Sequence, residues 1–136
     1  MNEHASCVAF GGRGLLLRGP SGSGKSDLAL RLIEAGAMLV ADDQVILKRD
    51  GEILLASCPP SIAGRIEVRG VGILMLPHAS AAPLALVCDL VPREAVPRLP
   101  DAAQVEIAGI SLPRLALHAF DASAVAKLRL SLSACR

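Results

Sequence analysis

The 136 residues carry 14 basic and 13 acidic side chains, a net charge of +1, so the chain has no charge surplus with which to hold a nucleic acid or an anionic membrane face. Apolar residues make up 52% of it, enough for one compact domain with a real core, yet no apolar run approaches the roughly 20 residues that a bilayer span requires. Trp and Tyr are absent and the only aromatic side chains are Phe10 and Phe120, which leaves base recognition by stacking little to work with.

Taken in chain order, Cys7–Phe10 and Leu15–Leu17 are apolar runs separated by Gly11-Gly12-Arg13-Gly14, which predicts two strands joined in a hairpin. Ser26–Ala35 has Leu28, Ala29, Leu32 and Ile33 on one side and Asp27, Arg31 and Glu34 on the other, with Gly36 as a stop, so it reads as an amphipathic helix. Met38–Ala41 reads as a buried strand, and Val45–Lys48 with Ile53–Ala56 as a hairpin turned at Asp50-Gly51. Further strands are expected at Ile66–Val68, Val71–Met75, Leu84–Val91, Val105–Ile110 and Leu115–Leu117, and a last helix at Ala122–Leu132. The whole is an α/β pattern with a mixed sheet, read as a single domain over 1–136. The start, Met-Asn-Glu-His, has neither the basic flank nor the apolar stretch of a signal peptide, and a cytoplasmic protein is expected. Cys7, Cys58, Cys88 and Cys135 are scattered without CxxC spacing, so buried reduced thiols are expected rather than disulfides or zinc ligands.

Gly19-Pro20-Ser21-Gly22-Ser23-Gly24-Lys25-Ser26 satisfies G-x-x-x-x-G-K-[ST] between a predicted strand and a predicted helix. Glycines permit a tight loop whose N–H groups point inward, the helix N-terminus adds positive potential, Lys25 reaches the terminal phosphates, and the Ser26 hydroxyl suits magnesium. A bound nucleoside triphosphate follows. An ATPase, a small-molecule kinase and a protein kinase all stay open, whereas a GTPase would need an Asn-Lys-x-Asp segment that the sequence lacks.

The strand after the helix should run parallel to the strand before the loop, which sets Asp42 and Asp43 beside the phosphates. One carboxylate could hold magnesium and the other take a proton from an attacking hydroxyl, but adjacent residues leave open which does which. Farther on, Ile66-Glu67-Val68-Arg69-Gly70-Val71-Gly72-Ile73 puts Glu67 and Arg69 on one side of a strand, one suited to magnesium and the other to a transferring phosphate. Gly70 and Gly72 allow a close approach.

The stretches "GPSGSGKSDLALRLIEAGAMLVADD" and "IEVRGVGIL", in that order, with "HASCVAFGGRGLLLRG" upstream, closely resemble the catalytic domain of the HPr kinase/phosphorylase family, over about the first 75 residues. The resemblance implies a P-loop domain related to that of phosphoenolpyruvate carboxykinase, ATP and magnesium (Mg2+) as cofactors, HPr or an HPr-like phosphocarrier as the protein phosphorylated on serine, and a hexameric homo-oligomer. It also implies a reverse reaction that consumes inorganic phosphate and releases pyrophosphate. By position it gives Lys25 to the phosphates, Ser26 and Glu67 to magnesium, Asp43 to the proton-acceptor role with Asp42 in support, and His4 to the catalytic site. Arg98 in "VPRLP" corresponds to an active-site arginine and Arg114 in "LPRLAL" to a loop used in dephosphorylation. With His4 almost at the start and a short C-terminal part, a truncated member lacking the usual N-terminal domain is expected. A small-molecule kinase with the same loop, and an ATP-sensing module without transfer, are the rival readings.

Overall fold

In the computed structural model, which describes residues 1–135, the first hairpin is β2 (Ala5–Phe10) and β3 (Arg13–Arg18), preceded by a short β1 (Asn2–Glu3). Helix α1 (Lys25–Glu34) follows, then β4 (Met38–Ala41), β5 (Val45–Asp50), β6 (Ile53–Ser57), β7 (Arg65–Val68), β8 (Gly72–Met75) and β9 (Ala81–Leu90). The chain closes with β10 (Ala103–Ile107), β11 (Ile110–Leu117) and α2 (Ala124–Ala134). The pairing is mixed: β3, β9 and β11 are parallel neighbours, while β2 pairs antiparallel with both β3 and β4. The predicted strand 105–110 ends earlier, at Ile107, because Ala108 and Gly109 both have positive φ and turn the chain straight into β11.

One strand joins the parts of this sheet. The beginning of β9 pairs with β6 at Ala81–Pro83, and its later residues pair with β3 on one edge and β11 on the other. Pro113 lies in β11 just before its pairing with β9 starts at Arg114, so the missing N–H disrupts no ladder with β9. Among the described residues, no helix is long and apolar enough to cross a membrane.

Alternation along the strands feeds two cores. Val8, Leu15, Leu17, Leu86 and Cys88 face α1 and α2, where Leu28, Leu32 and Leu128 meet them; Cys7, Leu16, Val40, Leu47, Leu54 and Val87 pack on the opposite face. Each buried Leu contributes about 1.5–3 kcal/mol, so the helix-facing core holds α1 firmly on the sheet. The β7–β8 hairpin forms a separate two-stranded sheet, anchored to that core by Ile66, which is 1% exposed.

The strand predicted at Met38–Ala41 runs in the expected direction. Strand β4 runs the same way as β3 with β2 inserted between them. Because β2 runs the opposite way, its first residues arrive at the edge where β3 and β4 end. All four cysteines are free thiols. Burial pushes Cys7 and Cys88 up to about 12, which leaves both unreactive at neutral pH.

Candidate active site

The loop 19–24 leaves the end of β3 and enters α1 through two left-handed glycines, Gly22 at φ 83° and Gly24 at φ 96°. Gly19 has no room for a side chain: a Cβ there would stand 2.6 Å from Ser23 Oγ and 3.2 Å from the Leu90 carbonyl. Lys25 is 8% exposed and folds back on its loop, its Nζ donating to the carbonyls of Gly19 (2.6 Å) and Pro20 (3.1 Å). Desolvation lowers its pKa from 10.5, opposed by the attraction of Asp43 and Asp42. Ser23 Oγ is buried with no hydrogen-bond partner among the described residues.

Past the end of β4 the two aspartates part. Asp42 turns inward, 6% exposed, and its Oδ1 accepts hydrogen bonds from Ser26 Oγ and Ser6 Oγ, each 2.7 Å. Asp43 adopts φ 74°, a left-handed conformation that an aspartate tolerates better than most residues and that reverses the side chain's direction. Its carboxylate opens to solvent, where His4 Nε2 donates to Oδ1 at 2.7 Å. The Asp43 carbonyl accepts from Ala5 N at 3.2 Å, which ties the residue to the start of β2 and brings His4 within reach.

The β7–β8 hairpin forms the other wall. Arg69, Gly70 and Val71 make its turn, closed by Val71 N donating to the Val68 carbonyl at 2.9 Å, with Gly70 at φ 85° and Gly72 at φ 123°. Arg69 therefore sits at the turn rather than in a strand with Glu67, but both side chains line the same space. That space is a cavity of about 770 Å³ whose lining includes His4, Lys25, Ser26, Asp43 and Glu67.

The HPr serine kinase C-terminal domain family model matches residues 1–127. The chain belongs to this family. Among curated relatives, the HPr kinase/phosphorylase of Nitrosomonas europaea is 53% identical over 75 residues, 54% of this chain and 23% of that protein. The HPr kinase/phosphorylase of Alkaliphilus metalliredigens is 49% identical over 72 residues, 52% of this chain and 23% of that protein. The chain thus spans about a quarter of the length of the curated relatives it matches. The solved structure of the Hpr(Ser) kinase/phosphatase from Coxiella burnetii superposes with a TM-score of 0.84 at 28% identity, covering 98% of this chain and 88% of that one.

Not every residue expected in this HPr kinase domain reaches the cavity. Arg98 is exposed on the 91–102 connection and does not line it. Arg114 lies in β11, where its Nε donates to Asp89 Oδ2 at 2.6 Å. Arg18 donates to the same carboxylate twice, Nε to Oδ1 at 2.7 Å and Nη2 to Oδ2 at 3.0 Å. Burial alone would raise the Asp89 pKa, but the hydrogen bonds and charges of Arg18 and Arg114 outweigh it and hold it below 3.8.

Three residues in and beside the site went unnoticed in the sequence. Ser6 is fully buried beside Asp42, and its only signal is a hydroxyl in an otherwise apolar strand. Asp89 left no signal beyond a charge inside a predicted strand. Phe120 lines the cavity, so an aromatic ring does reach the site despite the poverty of aromatic residues.

Proposed function

We propose that the chain is an ATP- and magnesium-dependent kinase that phosphorylates a serine of HPr or an HPr-like phosphocarrier. The observation that carries this reading is the division between Asp42, directed to the Ser26 hydroxyl, and Asp43, open to the cavity beside His4. The names of the curated relatives support the choice of acceptor.

The residues present fit both groups. Ser21, Gly22, Gly24 and Lys25 all line the cavity, so the loop's backbone N–H groups and the lysine would supply the donors for a triphosphate. Ser26 donates its proton to Asp42 and so keeps its oxygen lone pairs for a hard cation, for which Glu67 offers a second oxygen ligand. Bound magnesium would neutralise charge on the phosphates.

In the forward direction Lys25 would exchange its loop carbonyls for phosphate oxygens, and Asp43 would accept the proton of the seryl hydroxyl. His4 would hold that carboxylate's orientation, and Arg69 would add positive charge from the hairpin turn. The reverse reaction must crowd inorganic phosphate beside a seryl phosphate, so it needs more cationic groups. Arg98 stands off the cavity and Arg114 is engaged with Asp89, so transfer to serine should outweigh phosphorolysis. A homo-oligomer, the hexamer of the family, belongs to the same proposal.

The test is to incubate the protein with γ-labelled ATP, magnesium and an HPr-like carrier, alongside the carrier's Ser→Ala variant. Label on the carrier serine alone is expected; label on small metabolites, or none transferred at all, would overturn the reading.

A further inference from the structure

Phe120 has no part in the chemistry above, yet its surroundings are built. It lies on the segment 118–121, which leaves β11 at the same edge as the phosphate loop leaves β3. That segment is anchored throughout. Ala119 is fully buried and its carbonyl accepts from the Arg31 guanidinium, His118 Nδ1 donates to the Val91 carbonyl at 3.0 Å, and Arg93 Nε donates to Asp121 Oδ1 at 2.7 Å. Phe120 is nevertheless 54% exposed, held out by a fixed backbone rather than by a frayed one.

Its placement is equally defined. His118 meets the ring edge-on, with centroids 5.8 Å apart and planes at 70°. A Cβ on Gly24 would stand 2.8 Å from the ring's Cζ, so the ring begins where the phosphate cradle ends and α1 starts. The chain's other aromatic ring, Phe10, lies beneath the Arg129 guanidinium in a separate cavity and does not compete for this role.

We infer that Phe120 is the platform on which the base of the nucleoside triphosphate stacks. A nucleoside whose phosphates occupy the loop must extend to one side of it, and Phe120 is the aromatic face that the cavity offers next to Gly24. A phenyl ring has no donor or acceptor, so it holds a base by its π-face without reading the base edge. The inference rests on the P-loop reading above and adds a subsite to it.

The test separates the two. Dissociation constants for ATP and for inorganic tripolyphosphate, both with magnesium, are measured on the wild type and on Phe120→Ala, Phe120→Leu and Phe120→Trp, each checked for folding by circular dichroism. The wild type should bind ATP more tightly than tripolyphosphate. Phe120→Ala and Phe120→Leu should lose roughly 10-fold or more in ATP affinity while keeping their affinity for tripolyphosphate, and Phe120→Trp should retain ATP. Unchanged ATP affinity in both the Ala and Leu variants overturns the platform. An equal loss for both ligands also overturns it, because the ring would then only be supporting the loop. A wild type that binds neither ligand sinks the P-loop reading itself.

Discussion

Two groups of carboxylates lie where parallel strands of this sheet end, and their surroundings differ completely. Asp89, near the end of β9, takes three hydrogen bonds from the guanidinium groups of Arg18 and Arg114. Asp42 and Asp43, just past the end of β4, take bonds from two serine hydroxyls and one histidine. In the first group the charge is neutralised and joins three strands. In the second it is left for something else to neutralise, which is what a magnesium ion, a lysine and an acceptor proton can do. The contrast separates an acid that holds the fold from acids available for chemistry more sharply than burial does, since Asp42 is the most buried of the three.

That contrast can be broken at several points. The largest effect belongs to Lys25→Met, which should reduce phosphoryl transfer by roughly 100- to 1000-fold or more, because it removes the cation that follows the transferring charge. Its stability should not fall: the lysine's lowered pKa means that burying the charge costs folding free energy at neutral pH. Thermal melts beside single-turnover assays read both quantities, and near-normal turnover in the folded variant would remove the loop from the mechanism.

Next, Asp43→Asn should cut transfer about 100-fold or more while leaving nucleotide affinity largely intact, as loss of a general base does. Asp42→Asn should cost about 10- to 100-fold and raise the magnesium concentration needed, because in the proposed mechanism Asp42 acts through the Ser26 hydroxyl it accepts from. A magnesium titration of each variant distinguishes them; if the Asp43 variant is the one rescued by magnesium, the two roles are exchanged.

A smaller effect, and on stability instead of turnover, is expected at Asp89. Asp89→Asn should destabilise the fold by about 1–2 kcal/mol at neutral pH, the loss of charged hydrogen bonds at a partly solvated site. The folded pKa is depressed, so this contribution is present above the ordinary 3.8 and disappears as the pH falls through the lowered value. Denaturant melts of the wild type and the variant should therefore differ at pH 7 and converge in strong acid. Smallest of all, Arg98→Ala should leave nucleotide affinity within about twofold, as surface substitutions away from a site usually do. A larger change, measured by calorimetry, would bring Arg98 into contact with the nucleotide site after all.

Much of this is local in origin and readable from the residues alone. The loop 19–26 announces itself because its chemistry is a contiguous run of small residues closed by lysine and serine, and the helix after it follows from apolar spacing and a terminal glycine. The hairpins at 7–17 and 45–56 follow from alternation and glycine turns, whereas the turn at Arg69–Val71 does not, since Gly70 and Gly72 read equally as a close approach along a strand that carries Glu67 and Arg69 together. What the residues could not reveal depends on neighbours distant in the chain. His4 and Ser6 reach the aspartates because β2 slots antiparallel between β3 and β4, a choice of strand order that no local pattern encodes. Asp42 and Asp43 diverge because the second adopts a positive φ that the Ala5 hydrogen bond helps to hold. Arg114 could be foreseen as a cation but not as a partner of Asp89, since the shared carboxylate exists only once β11 lies beside β9. Phe120, dismissed as one of too few rings, reaches the cavity because its segment is anchored from three sides. Short-range propensity and motif chemistry thus set the elements and the glycine-rich loop 19–26, while the pairing of strands far apart in sequence decided which charges are neutralised and which stay open to the cavity.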